Sequence, residues 1–111
     1  MIKLTIEEKG QIFTSFCVEG HSSLGKKGNN LLCAGVSSLS QSIFLAIRDI
    51  LKLELAWSKE DGYLKCVLPN SLTEKENEMV SLLIMTLIQG FEDLKRQFPR
   101  EMTLDWRQDT I

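Results

Sequence analysis

The sequence predicts a small α/β domain of the α+β kind: one unit spanning residues 1–111, in the order ββαββαβ, with a mixed sheet packed by two helices. Three observations carry that prediction. Two pairs of short runs alternate apolar and polar residues, each pair split by a glycine-containing break. Two longer stretches switch to helical spacing. A last alternating run follows Pro99.

Residues 2–7 and 12–19 alternate, with Lys9-Gly10 between them, and read as a β-hairpin. Ile2, Leu4 and Ile6 share one face of the first run. Ile12, Phe16 and Val18 share one face of the second, which puts Phe13 with Cys17 on the other. From Cys33 the period changes. Val36, Leu39, Ile43, Ile47 and Ile50 recur at spacings of three and four, so residues 33–51 read as an amphipathic helix. Its first turns are built from small residues (Ala34, Gly35, Ser37, Ser38, Ser40), which leave room for a partner strand or an extended peptide. Leu55 to Lys59 and Tyr63 to Leu68 flank Asp61-Gly62, a dipeptide that supplies the positive φ of a tight hairpin turn. Pro69 stops that hairpin. Ser71-Leu72-Thr73-Glu74 offers overlapping S-x-x-E and T-x-x-E capping patterns for a second helix. Val80, Leu83, Leu87, Phe91, Leu94 and Phe98 form its stripe, widened by Met79, Leu82, Ile84, Met85 and Ile88. Pro99 ends it. Met102, Leu104 and Trp106 alternate with polar residues in a short last strand. No internal linker is visible. The broad apolar surface of the second helix suggests a homodimer.

Composition is that of an ordinary globular chain, 43% apolar and 25% charged, and disorder is not expected. The net charge of −2 argues against direct nucleic-acid binding, which draws on an excess of Lys and Arg. The alternating start, Met1 to Ile6, lacks the apolar core of a secretion signal. The run Leu82 to Ile88 is too short to span a bilayer, so no membrane association is expected. Three cysteines, an odd number with no C-x-x-C, fit reduced thiols in a cytoplasmic protein. One histidine and three scattered cysteines do not make a metal site, and no metal or cofactor is expected.

The chemistry concentrates between two elements. The only histidine, His21, follows Gly20 at a strand end, where a rigid scaffold commonly holds functional groups. Cys33 lies in the first turn of the first helix. A thiol there is made acidic by the helix dipole and free backbone N–H groups, and an imidazole could take its proton. Cys66, inside a strand, and Cys17 read as small buried hydrophobes. The intervening loop, with Gly25-Lys26-Lys27-Gly28-Asn29-Asn30, reads either as a solvated turn or as a lid that orders over substrate. Gly20-x-x-x-x-Gly25-Lys26 approaches a phosphate-binding loop, but Lys27 stands where the Mg²⁺-binding Ser or Thr would be, and nucleotide binding is set aside.

Gly20-His21, a loop with Gly28, and Leu32-Cys33-Ala34-Gly35-Val36-Ser37 together resemble the signature of the ribosomal-processing cysteine protease family, Prp. The likeness in length and element order extends over the whole chain. It implies a small dimeric α/β domain with His21 as base and Cys33 as nucleophile. It implies cleavage of the N-terminal extension from the precursor of large-subunit ribosomal protein twenty-seven, after an aromatic-containing motif. Gly20, Asn30, Ala34 and Ser37 fall at supporting or substrate-binding positions. The family commonly has Asp three positions before the cysteine where this chain has Asn30, and Ala where it has Gly35. Asn can hold an imidazole by a hydrogen bond but cannot stabilise an imidazolium by charge. The mechanism expected is acyl transfer, with backbone N–H groups at the helix start, including that of Cys33 or Ala34, receiving the oxyanion.

Two other readings remain. One is a non-catalytic ribosome-assembly or peptide-binding module of the same fold, motivated by Asn30. The other is a redox-sensing thiol, which would need Cys17 or Cys66 brought close to Cys33.

Overall fold

The computed structural model describes residues 1–22 and 30–109. Its elements follow the expected order: β1 (Ile2–Lys9), β2 (Ile12–Gly20), α1 (Leu31–Leu45), β3 (Ala56–Glu60), β4 (Tyr63–Val67), α2 (Glu74–Gln97) and β5 (Met102–Asp109). A π-helical turn, Ala46–Ile50, extends α1. The five strands form one sheet in the order β3-β4-β2-β1-β5. β1 and β5 run parallel and the other neighbours antiparallel, so the sheet is mixed. The loop reading for residues 23–29, lid or turn, lies outside the described residues.

Local chemistry explains the joints. Gly10 and Gln11 both have positive φ (57° and 69°), the geometry that matches the twist of a two-residue hairpin. In the second hairpin Gly62 alone takes it, at 71°. Thr73, not Ser71, caps α2. Its hydroxyl accepts from the Glu76 amide and the Glu76 carboxylate accepts from the Thr73 amide, closing a capping box.

The core lies between one sheet face and the two helices. Ile2, Leu4, Ile6, Phe16 and Val18 point into it from the central strands, and Val36, Ile43, Ile84, Leu87 and Phe91 meet them from the helices. At Gly90 the helices approach so closely that a β-carbon would stand 2.6 Å from Leu39 Cδ2. By length and composition Leu31–Ile50 could cross a bilayer. Here it is a core helix: Leu32, Val36, Ile43, Phe44 and Ile47 are buried, while Ser37 and Ser38 are exposed.

One expected face is corrected. Phe13 is buried and stacks near Trp106, with centroids 5.9 Å apart, whereas Ile12 is exposed. The pairing register shifts between Glu7 and Glu8: Ser15 pairs with Glu7 but Phe13 with Glu8, leaving Thr14 as the extra residue of a β-bulge. That slip moves Phe13 onto the core face and Ile12 off it.

Candidate active site

The end of β2 and the start of α1 converge. Gly20 closes β2 with φ +103°, and a side chain there would run into the Met1 carbonyl. Its N–H donates to the Gly62 carbonyl (2.9 Å), tying the strand end to the β3–β4 turn. His21 follows. Its carbonyl accepts from the Met1 nitrogen. Its imidazole lies against Gly62, where a β-carbon would collide with the ring. The turn glycine is therefore also the seat of the imidazole.

Asn30 starts α1 in extended conformation, and its Oδ1 accepts from the Cys33 N–H (3.0 Å). Its Nδ2 donates to the Ser22 carbonyl (3.3 Å). The Asn30 amide thus joins the helix start to the segment after His21, a different task from the imidazole contact anticipated from sequence. Cys33 sits in the first turn, half-buried. The Ser22 N–H donates to its Sγ across 3.2 Å. Among the described residues, the bond to this sulfur comes from that amide and not from the imidazole. Ser22 Oγ in turn donates to Glu101 Oε1 (2.9 Å).

A cavity of about 580 Å³ opens between these groups. His21 and Ser22 stand at one end. Cys33, Ala34 and Ser37 form the α1 wall, and Glu60, Asp61 and Tyr63 the β3–β4 wall, with Val18, Val36 and Leu64 beneath. Ser37 Oγ accepts from Gln41 Nε2, and Gln41 Oε1 accepts from Lys59 Nζ (2.6 Å), a chain of contacts linking the two walls. The small side chains of Ala34, Gly35 and Ser37 leave this helix surface exposed, with open space at Gly35. An extended backbone could approach it.

The structure brings together every residue singled out from sequence: Gly20, His21, Asn30, Cys33, Ala34 and Ser37 all border this cavity. The expected oxyanion donors are changed. The Cys33 N–H is taken by the Asn30 cap, and the Ala34 N–H donates to the Asn30 carbonyl (3.1 Å) as the first bond of the helix ladder. The amide facing the sulfur is that of Ser22. Sequence reasoning missed three contributors: Ser22, Gly62 and Glu101. Gly62 carried a turn signal only, and Glu101 carried none.

The other thiols stand apart from the cavity. Cys66 is fully buried, and burial pushes its thiol up to about 12. Burial and the nearby Glu19 carboxylate raise that of Cys17.

Known proteins resemble this chain over most of its length. The profile of the family described as cysteine protease Prp matches residues 1–103. The ribosomal processing cysteine protease Prp of Bacillus subtilis is 29% identical over 106 residues, 88% of this chain and 90% of that protein. The crystal structure of SMU.848 from Streptococcus mutans is similar at 28% identity and a TM-score of 0.77, covering 98% of this chain and 96% of its own. An essential ribosomal processing protease Prp from Staphylococcus aureus, solved with a covalently linked product peptide, shares the fold. Its TM-score is 0.83 at 17% identity, over 96% of this chain and 100% of that one.

Proposed function

Because the chain belongs to the Prp family of cysteine proteases, we propose that Cys33 and His21 are its catalytic dyad and that its substrate is the precursor of large-subunit ribosomal protein twenty-seven. The observation that carries this reading is the cavity shared by the imidazole and the sulfur, with an amide N–H aimed at the sulfur from the residue after the histidine. The family relative from Staphylococcus aureus holds a covalently linked product peptide, and an extended peptide fits the small-residue wall of α1.

The chemistry is acyl transfer. His21 takes the thiol proton. Cys33 Sγ attacks the scissile carbonyl carbon, forming the C–S bond while the carbonyl π pair moves to oxygen. The oxygen develops its charge next to the sulfur, within reach of the Ser22 N–H. An oriented donor of this kind is worth about 2.7–4 kcal/mol in other enzymes. The pair then returns, the C–N bond breaks, and the imidazolium gives its proton to the leaving amine. His21 next deprotonates water, which attacks the thioester. Collapse of that adduct breaks the C–S bond and restores the thiol. Ala34 and Ser37 border the bound peptide, and Asn30 holds Ser22 in line. The protein acts in the cytoplasm as a homodimer on a peptide segment, without binding nucleic acid itself.

The test is incubation with the unprocessed ribosomal protein. Wild type trims the extension, whereas Cys33→Ala and His21→Ala leave it intact. Trimming by Cys33→Ala overturns the assignment.

A further inference from the structure

We propose that Glu101 is a positioning residue for this site, acting through Ser22 on the Cys33 sulfur; the proposal rests on the reading of Cys33 as nucleophile. Glu101 comes from the far end of the chain, at the turn between α2 and β5. Its own backbone is fixed on both sides. Its N–H donates to the Phe98 carbonyl (3.1 Å) and its carbonyl accepts from the Ile2 N–H (2.7 Å), next to where β1 and β5 begin their parallel pairing. From that anchor the carboxylate accepts the Ser22 hydroxyl at 2.9 Å.

Ser22 lies past the end of β2, outside the strand pairing of the described residues. Its amide direction is set by the φ of Ser22 and the ψ of His21, both soft dihedrals outside regular structure. Among the described residues, side-chain contacts from Asn30 and Glu101 restrain it. Asn30 Nδ2 holds its carbonyl, and Glu101 holds its hydroxyl. With both ends of the residue fixed, the N–H is aimed at Sγ, 3.2 Å away. Glu101 is not among the residues lining the cavity and reaches the sulfur through Ser22, so its contribution is orientation of a donor. A hydrogen bond to an ionised acceptor is short and directional, which suits that task.

The test compares Ser22→Ala, Glu101→Ala, Glu101→Gln and the Ser22→Ala/Glu101→Ala pair. Ser22→Ala keeps the amide and removes the hydroxyl tether to Glu101. Glu101→Gln keeps an acceptor oxygen. The first readout is the rate of iodoacetamide alkylation at Cys33, mapped by mass spectrometry at one neutral pH, with folding checked by circular dichroism. The second is kcat and KM on the precursor peptide. Losing the donor outright costs about 10²–10³-fold in other enzymes. Loosening it is therefore expected to lower alkylation and kcat about tenfold in Ser22→Ala and Glu101→Ala, with KM within about twofold. Glu101→Gln stays within about twofold of wild type, and the double variant is no slower than either single one, because both remove the same contact. Wild-type rates in Glu101→Ala, equal impairment in Glu101→Gln, or multiplied losses in the double variant overturn the proposal. If wild type fails to trim the ribosomal precursor, the substrate reading falls, while the alkylation series still decides the role of Glu101.

Discussion

Gly62→Ala is the sharpest perturbation of the site, because one methyl group acts twice. The residue has φ +71°, and a β-carbon there would occupy the space of the His21 ring. The backbone strain alone costs about 1–2 kcal/mol, the penalty for an L side chain in left-handed geometry. The steric effect is separate: the imidazole must leave its seat. Gly10 provides a matched control. It also has positive φ, +57°, but a β-carbon there meets nothing within 4 Å. Urea unfolding should therefore show both variants destabilised by about 1–2 kcal/mol, a loss that domains of ordinary stability survive folded. Their activities should diverge. Displacing the proposed general base forfeits much of a ~10²–10⁴-fold contribution, so kcat/KM on the precursor peptide is expected to fall about 100-fold in Gly62→Ala and to stay within about twofold of wild type in Gly10→Ala. Near-wild-type cleavage by Gly62→Ala, or equal losses in both variants, would refute the idea that this turn seats the catalytic imidazole.

The helix caps give a second matched pair. Asn30→Ala and Thr73→Ala each remove a side-chain acceptor from a helix N-terminus and should each lower unfolding free energy by about 1 kcal/mol; only Asn30→Ala, which also releases the Ser22 carbonyl, should slow alkylation of Cys33. A third prediction concerns pH. In the unfolded chain the Cys66 thiol ionises near 9.0, whereas in the fold burial keeps it protonated to about 12. Above about pH 9 the unfolded state binds fewer protons than the native one, so this thiol makes stability fall as pH rises. Between pH 8 and pH 10 wild type should lose about 1.4 kcal/mol more than Cys66→Val, one pH unit of linkage above the unfolded value. Cys17 and Tyr63, whose ionisations are also raised, are present in both proteins, and equal pH slopes in urea titrations would contradict the assignment.

The element order was legible because each joint carries a local signal. Asp61-Gly62, Pro69, Thr73 with Glu76, and Pro99 all act within a few residues of themselves. What was illegible depends on pairing. The bulge at Thr14 leaves no trace in the alternation of residues 12–19, so Ile12 and Phe13 were placed on the wrong faces; only the register against Glu7 and Glu8 exposes the slip. The last strand runs to Asp109, beyond its apolar residues, because it pairs along the whole of β1 through backbone groups that sequence pattern does not record. The helix start was legible, by contrast, in the run from Leu31 to Ser37, and the Asn30 cap fixes it at Leu31.

The site divides along the same line. His21 and Cys33 announce themselves by the chemistry of their own side chains, and a strand end meeting a helix start is enough to bring them to one cavity. Gly62 and Glu101 have no such chemistry. Gly62 reads as a turn residue and is one; its second use exists only because Gly20 hydrogen-bonds to its carbonyl and delivers the next residue, His21, onto it. Glu101 is one of fifteen acidic residues and is set apart only by the parallel β1–β5 pairing, which carries the end of the chain to the end of β2. Asn30 belongs between these cases. Its identity suggested a weakened partner for the imidazole, but an amide can do what a carboxylate cannot: accept from Cys33 with one atom while donating to the Ser22 carbonyl with the other. A carboxylate in its place would keep the cap and set negative charge against that carbonyl, so in this chain Asn30 and the orientation of the Ser22 amide stand or fall together.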